Sequence, residues 1–348
     1  MEAAAVTPLP SAVLRDLAHA ARFDLCGFAR AEPIPPEHLG PWLAAGYGAD
    51  MDWMGERAAE RLDVSKLLPG ARTVVSFACN YLVEHPETEG SPIARCARGR
   101  DYHATMRDRI RAFRRGLRER FPGVETYAGV DATPLMEKVW AVRAGLGHVG
   151  KNGCLITPRY GSWVVLATMV MDAEVDAYAD GAAPDRCGPC RLCITHCPTD
   201  AILPGRRVDA RACLSYQTIE NERQVPEPLR AALGGTVFGC DICQQVCPLN
   251  RAPVPTPDVR FLPRPVAGLT VRDIAGLDRA AYDALVPGTA LARAGYDGLR
   301  RNAAYALGAA RDAGAREVLL KLAAESEPSR VREAARWALG QLDEAARG

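Results

Sequence analysis

The sequence has no apolar run long enough to cross a lipid bilayer, for which a helix needs about 20 consecutive apolar residues. It also has almost no net charge, because 43 basic and 42 acidic residues leave a balance of +1. A global attraction to nucleic acid is therefore excluded, and any basic surface must be local. The first ten residues contain neither a basic and apolar signal segment nor a twin-arginine pair, so we expect a cytoplasmic protein without membrane contact.

Cysteine, in contrast, is abundant, with 12 residues in a chain that shows no secretion signal. In a reducing cytoplasm this number favours metal ligation over disulfide bonds. Four of these cysteines lie outside the cysteine motifs, and we interpret them as small buried hydrophobic residues: Cys26, Cys79, Cys96 and Cys154.

The other cysteines lie between residues 187 and 247 with a characteristic spacing. A C-x2-C-x2-C-x3-C-P run is followed by a lone cysteine and then by C-x2-C-x3-C-P. Bacterial ferredoxins use the first pattern to bind iron–sulfur clusters, and the cysteine before proline ligates the neighbouring cluster. This rule predicts two 4Fe–4S clusters, the first held by Cys187, Cys190, Cys193 and Cys247, the second by Cys197, Cys213, Cys240 and Cys243.

Zinc is the alternative, because paired C-x2-C motifs also suit tetrahedral thiolate sites. A zinc site has no use for three cysteines at three-residue intervals followed by Cys-Pro, so we favour iron–sulfur clusters. Two such clusters within tunnelling distance would form an electron-transfer path.

The rest of the chain predicts an α+β fold. At 348 residues with 48% hydrophobic composition, the chain is long enough for two or three domains with real cores. We predict an amphipathic helix within residues 11–30 and strands at 26–29, 73–78, 124–130 and 162–171. The predicted domains are an N-terminal domain at 1–178, a ferredoxin-like domain at 179–256 and a helical domain at 257–348.

The C-terminal region contains an internal repeat. Residues 300–308 return 32 residues later as residues 332–340, each copy ending in Ala-Leu-Gly. This period without a strand pattern predicts HEAT-like helical hairpins that cap the preceding domain.

Two sets of arginines are candidates for contact with phosphates, the alternative being an ordinary solvated surface. They are Arg107, Arg109, Arg111, Arg114, Arg115, Arg118 and Arg120 in a predicted helix, and Arg293, Arg300, Arg301, Arg330, Arg332 and Arg336 near the C-terminus.

The segment from Asp131 to Asn152 combines a strand-end carboxylate with basic residues and a Gly-x-Gly-x-x-Gly run at 145–150. That run formally matches a dinucleotide-binding fingerprint, but it follows a helical pattern, so we interpret it as a loop close to a ligand. Asp131 is flanked by Val130, Ala132 and Pro134. Apolar surroundings favour a protonated carboxyl group, as a general acid requires, and the alternative role is a helix N-cap.

These segments together resemble the epoxyqueuosine reductases of tRNA modification. The resemblance rests on residues 130–152 and is extended by three further segments and by the order of the domains. The three segments are Ala97–His103, Cys213–Glu220 and Phe238–Cys243. The chain departs from the family pattern at His148, where an aromatic residue is usual, and at Gln217.

The resemblance implies a cobalamin in an N-terminal α/β domain of flavin-reductase-like fold, with the corrin against the first cluster and no histidine below the cobalt. It implies reduction of epoxyqueuosine to queuosine at the wobble position of tRNA, with Asp131 as proton donor. An external flavodoxin or ferredoxin would supply electrons to a monomeric enzyme. The implied cofactor and substrate residues are Asp101, Tyr102 and His103 around the nucleoside, Arg143, Lys151 and Asn152 near the cofactor, and also Arg61, Cys96, Ser215 and Glu220.

Two other functions share part of this pattern. A reductive dehalogenase would use the same cofactors, but such enzymes usually carry a twin-arginine export signal. A plain electron-transfer ferredoxin would explain the cysteines, but it would leave residues 131–152 and the repeats without a purpose.

Overall fold

The computed structural model of the chain describes residues 7–181, 183–252, 254–324 and 329–347, so the first six residues of the N-terminus discussed above lie outside it. The helices are α1 Ser11–Ala20, α2 Gly40–Ala44, α3 Trp53–Glu56, α4 Ala58–Leu62, α5 Tyr102–Arg120, α6 Glu137–Arg143, α7 Leu192–Thr195, α8 Leu214–Ile219, α9 Glu227–Arg230, α10 Ile242–Gln245, α11 Val271–Ala275, α12 Arg279–Leu285, α13 Gly295–Ala309, α14 Arg316–Ala324 and α15 Ser329–Arg347. The strands are β1 Leu25–Arg30, β2 Thr73–Asn80, β3 Thr126–Gly129, β4 His148–Val149, β5 Leu155–Ile156, β6 Val164–Met171, β7 Ile202–Leu203 and β8 Arg207–Val208.

The N-terminal region is built on an antiparallel sheet of strand order β1-β2-β6-β3. Every residue of β2 is buried, because both faces of the sheet are covered. Phe77 packs with α1 and α5 on one face, whereas Val74 and Ala78 pack with Trp140 of α6 on the other. The mixture of helix and sheet and the predicted strands are confirmed, and the flavin-reductase-like class remains a prediction.

The cysteine-rich region consists of short elements around the helices α7, α8 and α10. The helices α7 and α10 pack together, and β7 pairs with β8 in a hairpin. Because its helices and strands are short, this region contains few regular backbone hydrogen bonds. Its stability therefore depends on the neighbouring regions and on the ligands of its thiols.

The C-terminal region is helical, as the repeat predicts, and the two copies fall in α13 and α15. Gly308 permits their close approach, because a Cβ there would lie 2.6 Å from the Cα of Ala338. The hydrophobic core of this region includes Leu214 and Val237 from the cysteine-rich region, so the core crosses the predicted boundary at 256. The HEAT-like class remains a prediction.

Several arginines assigned to basic surfaces are in fact buried. Arg300 and Arg301 are 5% and 1% exposed, and Arg109 forms a buried ion pair with Asp258. For Arg300 and Arg301, the packing of the alanine-rich helix α13 places both positions in the core, which the repeat alone does not indicate. In the described part of the chain, no helix combines the length and the apolar character that a membrane span requires.

Candidate active site and cysteine groups

Asp131 lies just beyond the end of β3 with a left-handed backbone, at φ 58°. Its Oδ2 accepts a hydrogen bond from the Tyr102 hydroxyl at 2.7 Å and lies 3.0 Å from Nε2 of His103. Tyr102 and His103 begin α5, and their rings stack with centroids 4.0 Å apart. The Asp131 side chain is 57% exposed, so a substrate can reach its carboxylate.

Asp101 completes this cluster as the N-cap of α5. Its Oδ1 accepts from the His103 backbone N–H at 2.9 Å and lies 2.6 Å from His103 Nδ1. The imidazole is thus held between two carboxylates. Burial tends to lower the pKa of His103, but the hydrogen bonds of Asp101 and Asp131 outweigh it and raise this pKa to about 9.

The proton of this cluster therefore resides on the histidine. The hydrogen bond from His103 lowers the pKa of Asp131, burial opposes this effect, and Tyr102 and Lys138 add to the lowering. The expectation of a protonated Asp131 in apolar surroundings is wrong, because the chain brings a hydroxyl and an imidazole to its carboxylate. The expected alternative, an N-cap, is wrong as well, because α6 begins at Glu137 with Met136 at the N-cap.

Glu137 supports Asp131 from the other side. Its Oε1 accepts the backbone N–H of Asp131 at 3.0 Å, and burial raises the pKa of Glu137 to about 8. The sequence showed Glu137 in the same segment but gave no sign of this role. This is because the distance between Asp131 and the first turn of α6 depends on the conformation of the loop that joins them, which the sequence pattern does not indicate.

A cavity of about 1170 Å³ is lined by Met136 and Lys138, which stand on either side of Glu137 in the chain. Its wall is formed by α2, α6, the residues around β4, the β7–β8 hairpin and α8. Residues that line it include Trp42, Met54, Lys138, Val142, His148 and Cys213. Most of these surfaces are apolar, which is typical of ligand pockets, and the size suits a large ligand.

The structure distributes the predicted cofactor residues over several places. Arg143 lines the cavity, with its guanidinium donating to the carbonyl oxygens of Glu32 and Pro33 at 2.6 and 3.0 Å. Lys151 instead donates to the carbonyl oxygens of Gly188 and Cys190, at 2.7 and 2.8 Å. These two bonds connect Lys151 to the loop between Cys187 and Cys190.

Others among these residues contact protein groups. The Asn152 amide donates to the Cys243 carbonyl at 3.4 Å, and buried Arg61 donates to the Trp53 carbonyl at 3.3 Å. Both carboxylate oxygens of Glu220 accept hydrogen bonds from Arg293. This Arg293 also lies 5.7 Å from the Trp53 ring centroid, so it is not a free basic residue.

The last two predicted residues are Ser215, which lies close to the motif cysteine Cys213, and Cys96. The Ser215 backbone hydrogen-bonds to the Cys213 sulfur at the start of α8. Cys96 is enclosed, and burial raises its pKa to about 12. The charge of Asp131 also reaches Cys96, so this thiol lies within electrostatic range of the proposed acid.

The eight motif cysteines form two groups of four. Burial and then the charges of Cys187, Cys247 and Cys190 raise the pKa of Cys193. The second group surrounds a smaller cavity of about 60 Å³ and is formed by Cys197, Cys213, Cys240 and Cys243.

Cys154 belongs with the second group. We expected a buried hydrophobic residue, but its thiol hydrogen-bonds with that of Cys243. The signal in the sequence for this contact was the position of Cys154, two residues after Asn152 and close to the glycine-rich run at 145–150.

Two family models match the chain. Residues 61–132 match the family described as "Epoxyqueuosine reductase QueG, DUF1730", and residues 186–250 match a 4Fe-4S double cluster binding domain. Among curated proteins, the epoxyqueuosine reductase of Gloeobacter violaceus is 39% identical over 313 residues, which cover 87% of this chain and 97% of that protein. The epoxyqueuosine reductase of Xanthomonas campestris pv. campestris is 34% identical over 357 residues, covering 98% and 99%.

Solved structures give the same result. A crystal structure of epoxyqueuosine reductase with a tRNA-Tyr epoxyqueuosine-modified tRNA stem loop is similar to this chain with a TM-score of 0.88, at 27% identity over 97% of this chain and 91% of that one. The Bacillus subtilis epoxyqueuosine reductase, solved with a catalytic aspartate loop swung out of the active site, has a TM-score of 0.86 at 26% identity, over 95% and 91%.

Proposed function

The chain belongs to the epoxyqueuosine reductase family, and we infer that it is an oxidoreductase that reduces epoxyqueuosine in tRNA to queuosine at the wobble position. The similarity to two proteins named epoxyqueuosine reductase, over 97% and 99% of their lengths, supports this reaction. The observation that carries the chemistry is the half-exposed Asp131 carboxylate, held by Tyr102 and protonated His103.

The cysteine groups fit two 4Fe–4S clusters. Four thiols surround the small cavity of the second group, and the family match to a double-cluster domain spans both motif runs. Thiolates in sets of four are the ligands that such clusters require. When bound, the clusters pass single electrons from an external donor, for which we propose a flavodoxin or a ferredoxin.

The larger cavity fits a cobalamin. Its volume and apolar wall suit a large cofactor, and Cys213 of the second group lies in that wall. Cys187 of the first group also lies within 4.8 Å of His148 and Asp185, which line the same cavity. Both cysteine groups therefore border the cavity, and our proposal keeps the corrin against the first cluster, as the resemblance implies. Arg143, Lys138 and the loop around β4 would hold the cofactor, which supplies the strongly reducing chemistry that a single-electron carrier lacks. His38 and His148 also line the cavity, and the resemblance implies that neither ligates the metal.

The side chains of Asp131, Tyr102 and His103 supply a proton to the reaction. Conversion of an epoxide to an alkene consumes two electrons and two protons and releases water. His103 holds a proton at Nε2, directed at Asp131 Oδ2, and Tyr102 donates its hydroxyl proton to the same oxygen. We propose that Asp131 relays the His103 proton to the epoxide oxygen, which becomes a better leaving group.

The exposed face of α5 is our candidate tRNA surface. This helix begins at Tyr102 and His103, and it continues away from the site with exposed arginines on its solvent side. These are Arg107, Arg111, Arg115, Arg118 and Arg120. A wobble base must leave its stack to reach Asp131, while the flanking phosphates meet this face.

An anaerobic assay tests the function. The protein is reconstituted with iron, sulfide and cobalamin, reduced, and mixed with tRNA that carries epoxyqueuosine, and the nucleosides are analysed by mass. We expect loss of one oxygen atom, and we expect Asp131→Asn to abolish this loss with both cofactor types still bound. The control is Asp108→Asn, which replaces a carboxylate within α5 and should retain the reaction. No loss of oxygen by the loaded wild-type protein contradicts the proposal, and turnover of a haloaromatic instead would support a dehalogenase.

A further inference from the structure

The C-terminal helical region reaches the second cysteine group through two adjacent residues of α13, Arg301 and Asn302. They are 1% and 0% exposed. A cation and an amide buried this deeply destabilise a protein unless all their polar atoms have partners. Their partners therefore indicate what the two residues do.

Asn302 connects the two chain segments that carry Cys213 and Cys240. Its side-chain amide nitrogen donates to the carbonyl oxygens of Thr218 at 2.8 Å and Val237 at 2.9 Å. Thr218 lies in α8, whose N-cap is Cys213, and Val237 lies three residues before Cys240. One side chain thus uses both its N–H groups to fix the separation of these segments.

Arg301 holds the end of α8. Its guanidinium donates to the carbonyl oxygens of Gln217 at 2.9 Å, Asn221 at 2.6 Å and Arg223, and twice to Asn302 Oδ1 at 3.0 and 2.7 Å. All five N–H donors of the guanidinium are therefore used. The last carbonyl groups of a helix lack partners within it and favour a cation. Burial lowers the pKa of Arg301 only to about 10, so the charge is present at neutral pH.

The segment before Cys240 has little freedom to adjust. The Gly239 N–H donates to Oγ1 of Thr218 at 2.9 Å, and Gly239 has a φ of +70°. A Cβ at this glycine would lie 2.5 Å from the Cβ of Ala94. The position of Cys240 relative to α8 is therefore set by this network.

We propose that Arg301 and Asn302 are positioning residues for the second 4Fe–4S cluster, so that the C-terminal helical region is a scaffold for the electron-transfer path. Cys213 and Cys240 are separated by 26 intervening residues, and a cluster requires their thiolates at a fixed separation. The inference rests on the proposed function only in assigning these cysteines to that cluster.

The first variant is Asn302→Asp, which keeps the size of the side chain and replaces its two N–H donors with an oxygen. The full-length chain is reconstituted anaerobically, its iron is counted, and its accessible thiols are alkylated and mapped by mass. We expect the iron content to fall to about half, with Cys213 and Cys240 alkylated and Cys187 and Cys190 protected. The electron paramagnetic resonance signal of one reduced cluster disappears as well.

The second variant is Arg301→Lys, which keeps the charge but loses the planar fork. We expect both clusters to assemble, and the second cluster to lose iron to a chelator about tenfold faster, with a shifted midpoint potential. The first cluster keeps its potential. This comparison decides the proposal if Asn302→Asp does not fold.

Arg316→Ala is the matched control, because it removes an exposed ion pair with Asp343 in the same helical region. It should leave both clusters unchanged. Equal loss of both clusters from Asn302→Asp with its helical content intact, or an unchanged second cluster in both variants, overturns the proposal. None of these measurements uses tRNA, so failure of the tRNA reaction would overturn the proposed function alone.

Discussion

Nε2 of His103 lies 3.0 Å from Oδ2 of Asp131, so an imidazole and a carboxylate share one proton. The carboxylate is the exposed partner, and the imidazole is anchored from behind by Asp101. This arrangement separates the group that meets the substrate from the group that stores the proton. It makes the activity depend on the pKa of a histidine.

The first prediction concerns the pH dependence of the rate. Because the pKa of His103 is about 9, single-turnover rates with cofactor-loaded enzyme should fall as the pH rises through about 9. Asp101→Asn removes a carboxylate that raises this pKa, so the fall should move to lower pH. Asp108→Asn is the control and should keep the wild-type profile. A profile that does not move in Asp101→Asn would exclude His103 as the proton store.

The second prediction concerns stability and the same histidine. Its folded-state pKa of about 9 lies above the ordinary value near 6.5, so protonation favours the folded state. This stabilisation is complete below about pH 6.5 and is lost as the pH rises through about 9. The difference in urea midpoint between wild type and His103→Gln should therefore be large at low pH and small above about pH 9. A difference that grows with pH would contradict the assignment.

The third prediction concerns Glu137, which accepts the Asp131 backbone N–H at 3.0 Å. Glu137→Ala should lower the single-turnover rate by about a hundredfold, because a displaced catalytic group loses its near-attack geometry. Glu137→Gln keeps an accepting oxygen and should retain most of the rate. Cobalamin and iron contents are measured in both variants and should match the wild type. Equal losses in the two variants would mean that the ionisable proton of Glu137, and not its hydrogen bond, is what matters.

Local pattern in the sequence was enough to predict the strands of the sheet and the grouping of the motif cysteines, because these features depend on neighbours along the chain. The left-handed Asp131 and its contacts with His103 and Glu137 depend on how a loop folds back between β3 and α6. Arginine at 301 was assigned to a surface for a similar reason. Its burial depends on carbonyl groups in α8 and just after it, some 80 residues earlier, which accept its hydrogen bonds.

The fourth prediction concerns the arginines on the exposed face of α5. Arg111→Ala combined with Arg115→Ala should weaken binding of the modified tRNA stem loop and reduce the slope of log affinity against log salt by about 0.7 to 0.9 for each phosphate contact removed. Arg316→Ala is the control because it removes an exposed arginine from α14. An unchanged slope in the double variant would show that α5 does not face the phosphates.

The fifth prediction concerns the first cysteine group. Lys151 Nζ donates to the carbonyl oxygens of Gly188 and Cys190, at 2.7 and 2.8 Å, within the loop that joins Cys187 to Cys190. Lys151→Met keeps the length of the side chain but removes both charge-assisted bonds, so this loop should lose its conformation. We expect the iron content to fall towards half, with Cys187 and Cys190 open to alkylation.

The control for this variant is Lys66→Met, which removes an exposed lysine far along the chain from the cysteine motifs. Its iron content and alkylation pattern should match the wild type. Together with Asn302→Asp, the Lys151→Met variant gives opposite patterns of thiol protection, because each variant releases a different group of four cysteines. If Lys151→Met instead exposes the thiols of the second group, the assignment of Lys151 to the first cluster is wrong, and the two cysteine groups must share one support.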